Sequence, residues 1–245
     1  MKYLFSAPGI KALKYFCTTK TLVAFDYDGT LVALADQPLQ AILPEEIEQL
    51  LAQLQSKMEL AIVSGRSRAD LKKLIPLKIT MVGNHGLEPT TVNFKRWLSL
   101  VKVARWKKLL VSFLKTLPDV WVEDKKYSLS VHYRQARDVR AVQQVLLDFM
   151  KSLKPQPCLI MGKCVINLLP HGKVNKGTAV LKLMKKNHCS RLIFVGDDDT
   201  DEYALKLTGT NFLTIRVGEN RSSKAKYFIK NQTEIKKLLQ VLLQQ

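Results

Sequence analysis

Five short apolar runs, each cut off by small or polar residues, constrain the fold more than any other feature of the chain. Thr21–Phe25 runs into Asp26, Leu60–Val63 into Ser64-Gly65-Arg66, and Ile79–Val82 into Gly83-Asn84-His85-Gly86. Arg191–Val195 runs into Gly196-Asp197-Asp198-Asp199, and Phe212–Val217 into Gly218. Runs this short and continuous read as strands buried on both faces. Helical patterns alternate with them. Pro44-Glu45-Glu46 opens one, with Ile47, Leu50, Leu51 and Leu54 on one face; Ser67–Leu74 and Lys176–Lys186 give others. Thr233 reads as the N-cap of a last helix carrying Ile235, Leu238, Leu239, Leu242 and Leu243. Strand–helix alternation implies βαβ units, and so an α/β fold with a doubly wound parallel sheet. Ligands of such sheets bind at the carboxyl ends of the strands, where all these polar stretches fall.

The rhythm breaks in the middle. Between about Pro89 and Asn167 the strand-like pieces are Val120–Val122, Tyr127–Tyr133 and Cys164–Leu168, with helices over about Leu100–Thr116 and Asp138–Leu153. The expected organisation is therefore a core of residues 1–88 and 168–245 and an inserted, smaller α/β cap domain of residues 89–167. This middle part is also the basic one: residues 89–167 carry 15 Lys and Arg against 5 Asp and Glu, within a chain of net charge +18. A solvated helix face, a nucleic-acid partner or steering of an anionic substrate would each use such charge.

With 245 residues, 47% of them hydrophobic, the chain can bury a substantial core. No apolar run reaches the ~20 residues a membrane span needs, so no membrane association is expected. Lys11, Lys14 and Pro8-Gly9 interrupt the opening segment before a signal-peptide core forms. Cys17, Cys158, Cys164 and Cys189 make no CxxC pair and no zinc spacing. They read as free thiols in a reducing compartment, and a cytoplasmic monomer is the expectation.

The chemistry concentrates in carboxylates. Asp26 and Asp28 are two apart at a strand end, where i and i+2 point to one side. Asp197-Asp198-Asp199-Thr200-Asp201-Glu202 places five acids in six residues at another strand end. Like charges so placed repel unless a cation compensates. Mg²⁺, which takes oxygen ligands and keeps several waters, is the natural candidate. A carboxylate beside it can attack phosphorus. Phosphoryl transfer then needs charge neutralisation and positioning, for which Ser64 and Lys176 are available.

The series Asp26-Tyr27-Asp28-Gly29-Thr30-Leu31, Ser64-Gly65-Arg66, Asn175-Lys176-Gly177 and Gly196-Asp197-Asp198-Asp199-Thr200-Asp201-Glu202 resembles the four ordered motifs of the haloacid dehalogenase (HAD) superfamily. Glu123-Asp124-Lys125, His132-Tyr133-Arg134 and Gly83-Asn84-His85-Gly86 make the closer resemblance that to the trehalose-6-phosphate phosphatase family. The resemblance spans about residues 20–220. It implies Asp26 as nucleophile and Asp28 as acid and then base. Mg²⁺ would be held by Asp26, the Asp28 backbone carbonyl and Asp197, with Asp198 and Asp201 in support. Ser64 and Lys176 would hold the phosphoryl group, and Arg66 would touch phosphate or sugar. Glu123 and Lys125 would bind sugar hydroxyls on a cap that closes over the substrate. His85, His132, Arg134 and Asn167 complete the candidate substrate contacts. The implied substrate is trehalose 6-phosphate, and the implied reaction the last step of trehalose biosynthesis.

The chain departs from the family pattern in Val165-Ile166-Asn167-Leu168-Leu169-Pro170, where Asn167 stands for a glutamate and Leu169 for a basic residue. That departure keeps another sugar phosphate, of the sucrose phosphate or glucosyl- or mannosyl-phosphoglycerate type, as the alternative. A nucleic-acid-binding protein on a retired phosphatase fold is the rival from another class, but no nucleic-acid motif supports it. Trp97, Trp106 and Trp121 read as packing residues rather than a sugar platform, and His171 and His188 as surface residues.

Overall fold

The computed structural model describes residues 1–17, 20–35, 40–88, 95–162, 164–170 and 174–244. Contacts divide the chain into two compact units, Met1–Thr90 with Asn175–Gln245, and Thr91–Val174.

The first unit is built on a parallel sheet of β1 (Lys2–Tyr3), β2 (Thr21–Phe25), β3 (Glu59–Val63), β4 (Thr80–Val82), β9 (Arg191–Gly196), β10 (Phe212–Val217) and β11 (Tyr227–Ile229). The order is β1-β11-β10-β9-β2-β3-β4, with every pair parallel. Alternation along β2 shows why its sequence is apolar throughout. Val23 and Phe25 enter one core with Leu51 and Leu54 of α2 (Glu45–Gln55), Leu71 of α3 (Arg68–Leu74) and Leu238 and Leu242 of α8 (Ile235–Leu243). Leu22 and Ala24 enter a second core with Val180 and Leu183 of α6 (Lys176–Lys186) and Leu205 of α7 (Glu202–Leu205). Helices therefore cover both faces, and each fully buried Leu or Ile contributes ~1.5–3 kcal/mol. β2 lies between β9 and β3, so the carboxyl ends of β2 and β9 open side by side.

The second unit is a smaller α/β body with an antiparallel sheet ordered β5-β6-β8-β7: β5 (Trp121–Asp124), β6 (Leu129–His132), β7 (Cys158–Gly162) and β8 (Val165–Leu169). Leu129, Val131, Ile166 and Leu168 face α4 (Lys95–Leu114) and α5 (Val139–Ser152) through Trp106, Leu110, Leu146 and Met150. The second crossing between units falls at 174/175, seven residues beyond the expected boundary. The reason is that β8 pairs through Leu168 and Leu169 with β6 and β7 and cannot be split.

Three further differences have local causes. The opening segment is α1 (Ala7–Phe16): Pro8 sits in its first turn, where a missing N–H costs nothing, and Leu13 and Phe16 enter the core. Thr233 is not the cap of α8. It lies inside a 3₁₀ turn, Gln232–Glu234, and its hydroxyl donates to Asn231 Oδ1 at 2.6 Å. Trp121 is not a packed core residue but 45% exposed, whereas Trp106 is fully buried and its indole N–H donates to the Pro155 carbonyl at 2.8 Å. Trp97 and His171 lie outside the described side chains, and His188 is exposed. The four cysteines are free thiols, and no helix among the described residues is long and apolar enough to cross a membrane.

Candidate active site

Asp26 is the first residue past β2. Its N–H donates to the Val195 carbonyl at 2.9 Å, which extends the β2–β9 ladder by one step and fixes where the carboxylate starts. The residue is 4% exposed. Tyr27 turns inward and its hydroxyl donates to the Ala41 carbonyl at 2.7 Å. Gly29 then takes φ +78°, and its N–H donates to the Val32 carbonyl at 2.8 Å. A Cβ on Gly29 would stand 2.2 Å from Asp197 Oδ2. Glycine is thus required twice, for the left-handed turn and for the space a carboxylate from the neighbouring strand occupies. Thr30, which sequence reasoning gave no role, donates to Asp197 Oδ1 at 3.0 Å and orients it.

Lys176 brings the cation. Asn175 caps α6 by accepting from the Thr178 N–H at 3.0 Å, while the Thr178 hydroxyl accepts from the Asn175 N–H at 3.0 Å. Gly177 lets α6 approach α7, since a Cβ there would meet the Tyr203 carbonyl oxygen at 2.1 Å. Between them Lys176 points inward, 2% exposed, with Nζ 2.9 Å from Asp26 Oδ1, 2.7 Å from Asp201 Oδ1 and 4.0 Å from Asp198 Oδ1.

The acidic run separates by role. Asp201 is fully buried; its Oδ1 takes Lys176, and its Oδ2 accepts the N–H groups of Asp197 and Asp198 at 3.0 and 3.1 Å. Asp201 therefore shapes the loop as well as adding its charge to the acidic group. Asp198 accepts from the Thr200 hydroxyl at 2.7 Å and from the Asp201 N–H at 3.0 Å. Glu202 pairs with Arg216 at 2.7 Å, and Asp199 is exposed.

One ammonium does not balance this group. Burial, opposed by Lys176 and reinforced by Asp197 and Asp198, pushes the Asp26 carboxyl up to about 8. Burial, with Asp201 and Asp198 adding to it, pushes Asp197 up to about 7. Oxygens of Asp26, Asp197 and Asp201 all lie within 4.8 Å of one another. The donors are hard oxygens, the negative charge is in excess, and the Gly29 turn leaves Asp197 its place. This set fits Mg²⁺.

The other expected residues group around this cluster or apart from it. Asp28 does not share the Asp26 cluster through its side chain: Arg66 Nε and Nη2 donate to its two oxygens, each at 2.6 Å. Such a bidentate pair fixes carboxylate direction. Ser64 is 1% exposed and its hydroxyl accepts from the Arg66 N–H at 3.1 Å. His85 has φ 55°, donates its N–H to the Ser64 carbonyl at 3.0 Å, and lays its ring against Gly65, where a Cβ would meet Cε1 at 2.6 Å. In the second unit Glu123 meets His132 at 2.9 Å and Lys125 at 3.5 Å. Burial would raise the Glu123 carboxyl, but the His132 hydrogen bond and the Lys125 charge outweigh it and hold the carboxyl below its ordinary range. Asn167 accepts from the Ser130 hydroxyl at 2.6 Å and donates to the Ile160 carbonyl at 3.3 Å, and Arg134 is exposed in the turn past β6.

Gly29→Ala tests the turn. Alanine must adopt a left-handed backbone at a cost of about 1–3 kcal/mol, and its methyl group must displace Asp197. The expected outcome is a lower melting temperature than the parent's and, where added Mg²⁺ is expected to raise the parent's melting temperature, no such rise in the variant, both read by differential scanning fluorimetry.

Comparison with known proteins adds to the geometry. A sequence model of the trehalose-phosphatase family matches residues 24–233. Trehalose-6-phosphate phosphatase of Escherichia coli (strain K12) is 32% identical over 186 residues, 73% of this chain and 70% of that protein. Trehalose-phosphate phosphatase B of Arabidopsis thaliana is 27% identical over 255 residues, 92% of this chain and 67% of that protein. Among solved structures, a trehalose-6-phosphate phosphatase related protein superposes with a TM-score of 0.76 at 26% identity, over 91% of this chain and 97% of the other.

Proposed function

The chain belongs to the trehalose-phosphatase family of the haloacid dehalogenase superfamily, and we propose that it hydrolyses trehalose 6-phosphate to trehalose and phosphate through a phosphorylated Asp26. It is thus a phosphoric monoester hydrolase acting at the end of trehalose biosynthesis. The observation that carries the mechanism is a single one: a buried Asp26 bonded to Lys176 at the end of β2, facing Asp197 across a glycine turn.

In this reading an Asp26 oxygen attacks phosphorus, and the bond from phosphorus to the sugar oxygen breaks. Asp28, released from one arm of its pair with Arg66 so that one oxygen can carry a proton, gives that proton to the leaving oxygen. Water then attacks phosphorus, losing a proton to Asp28, and the bond from phosphorus to Asp26 breaks to release phosphate. Lys176 favours the ionised nucleophile and balances charge on the phosphoryl oxygens, with Ser64 as a hydroxyl donor to them. Arg66 acts as a positioning residue for Asp28. Mg²⁺ held by Asp26, Asp197 and the Asp28 backbone carbonyl would supply charge neutralisation for the phosphoryl group. Asp201, within the same loop, and Thr30, from the turn after β2, keep Asp197 in place. Sugar recognition is assigned to Glu123, Lys125 and His132 of the cap unit.

A second reading keeps the chemistry and changes the sugar. It is favoured by Asn167, whose amide is engaged by Ser130 and Ile160, and by Leu169, which is fully buried. Phosphate release from trehalose 6-phosphate, sucrose 6-phosphate, glucose 6-phosphate and glucosyl-phosphoglycerate, with Mg²⁺ and with EDTA, separates the two. Preference for trehalose 6-phosphate that EDTA removes is the expected result. Preference for another member moves the substrate, and turnover that persists in EDTA removes the metal from the mechanism.

A further inference from the structure

The sheet of the second unit has one face given to its core and a second, more polar face that also holds Ile160, Val165 and Leu169. Its polar face carries Trp121 and Glu123 of β5, Ser130 and His132 of β6, and Asn167 of β8, brought into rows by the register Trp121↔His132, Glu123↔Ser130 and Ser130↔Asn167. Most of these polar groups bond one another: Glu123 with His132, and Ser130 with Asn167. Trp121 differs. It is a large aromatic ring, 45% exposed, on the polar side of a sheet whose other side already holds the core. Its indole lies parallel to the His132 imidazole, with centroids 4.1 Å apart and planes 12° from one another. His132 is in turn held by Glu123 at 2.9 Å. The result is a rigid, solvent-facing aromatic plane whose orientation is set from behind by two residues.

An exposed tryptophan fixed in this way has little side-chain entropy left to lose on binding. Its face carries negative quadrupole density, which suits the weakly positive C–H groups on one side of a pyranose ring. The hydroxyls at the edge of such a ring would meet Glu123 and Lys125 on the same sheet edge. Hydrogen bonding from Asn167 is reduced by its bonds to Ser130 and Ile160, so a contact made by ring surface gains weight in this chain.

We propose that Trp121 is a specificity-determining residue, its indole backed by His132 taking the C–H face of a hexose ring of the substrate. This rests on the sugar-phosphate reading above.

The test uses the full chain. Trp121→Ala is expected to raise KM for trehalose 6-phosphate by about tenfold, the upper end of what one ring contact supplies, while kcat stays within about twofold. Acetyl phosphate, which has no sugar ring, is turned over by parent and variant alike. Trp121→Phe recovers most of the KM. Titration of the parent with unphosphorylated trehalose changes tryptophan emission, and the change is absent in Trp121→Phe. An unaltered KM in Trp121→Ala overturns the proposal, and so does an equal loss on acetyl phosphate, which marks a merely structural role. If the parent turns over acetyl phosphate but no sugar phosphate, the functional reading fails by itself. The trehalose titration then decides the platform: a Trp121-dependent change in emission keeps it, and no change removes it.

Discussion

Asp26→Asn is expected to reduce phosphate release by about four orders of magnitude or more, the scale on which loss of a nucleophile is felt, without lowering the melting temperature in EDTA. The amide has the shape of the carboxyl but cannot attack phosphorus. Its neutrality matters for the second half of the outcome. The Asp26 carboxyl is pushed from an ordinary 3.8 up to about 8, first by burial and then by Asp197 and Asp198 against the pull of Lys176. A carboxyl raised in the folded state favours folding while it is protonated in both states. That contribution is lost as pH rises from about 4 through 8, because the unfolded chain releases the proton first. The metal-free parent should therefore lose stability over that window, and Asp26→Asn should lose less. Melting curves in EDTA at pH 5, 7 and 8.5 check this. A variant that melts well below the parent at pH 7 would mean that the Asp26–Lys176 pair holds the fold together and is not a group kept at a cost for chemistry.

Lys176→Met carries the largest expected effect on stability. The ammonium is 2% exposed and touches Asp26 at 2.9 Å and Asp201 at 2.7 Å. Methionine fills much the same space but leaves buried carboxylates without their cation. Removing one partner of such a buried group costs about 3–5 kcal/mol. The loss should be read from urea midpoints near pH 9, above the range in which the Asp26 carboxyl titrates, and should shrink near pH 6, where the carboxyls are protonated. Activity should fall as well, since the phosphoryl group loses the same positive charge. An unchanged midpoint would show that Asp201 is neutral in the native protein and that the amide bonds to its Oδ2 suffice to hold the loop.

The strand ends were readable because a five-residue apolar run leaves no choice about which residues are buried. Asp26, Asp197, Ser64 and Gly83 follow from where β2, β9, β3 and β4 stop. The direction of the Asp28 side chain was not readable. It depends on Arg66, thirty-eight positions later, arriving on the neighbouring strand end. The acidic run likewise announced a cation site but not its internal division. Only the fold reveals that Asp201 spends both oxygens on Lys176 and two backbone amides, while Glu202 turns to Arg216. Short strands such as β1 at the sheet edge and β11 beside it carry too few residues for periodicity to register. Trp121 reads as packing in one dimension because exposure of an aromatic residue depends on which face of the sheet its register selects.

The strand order also sets the sequence of events when the chain folds. β2 pairs with β9, the central strand of the parallel sheet, Thr21 against Arg191, and β1 pairs with β11, Lys2 against Tyr227. Strands made early must wait for partners synthesised after the whole Thr91–Val174 unit. That unit finds all its pairings within itself, β5 with β6 and β7 with β8 as neighbours in sequence and β6 with β8 across α5, and can complete its own sheet first. Once compact, it shortens the flexible part of the loop that β2 and β9 must close, and so lowers the entropy that closure costs. Until then β2, paired on one side with β3, presents its other edge unpaired. The protein's period of greatest exposure to aggregation on the ribosome therefore lies between the emergence of β4 and that of β9.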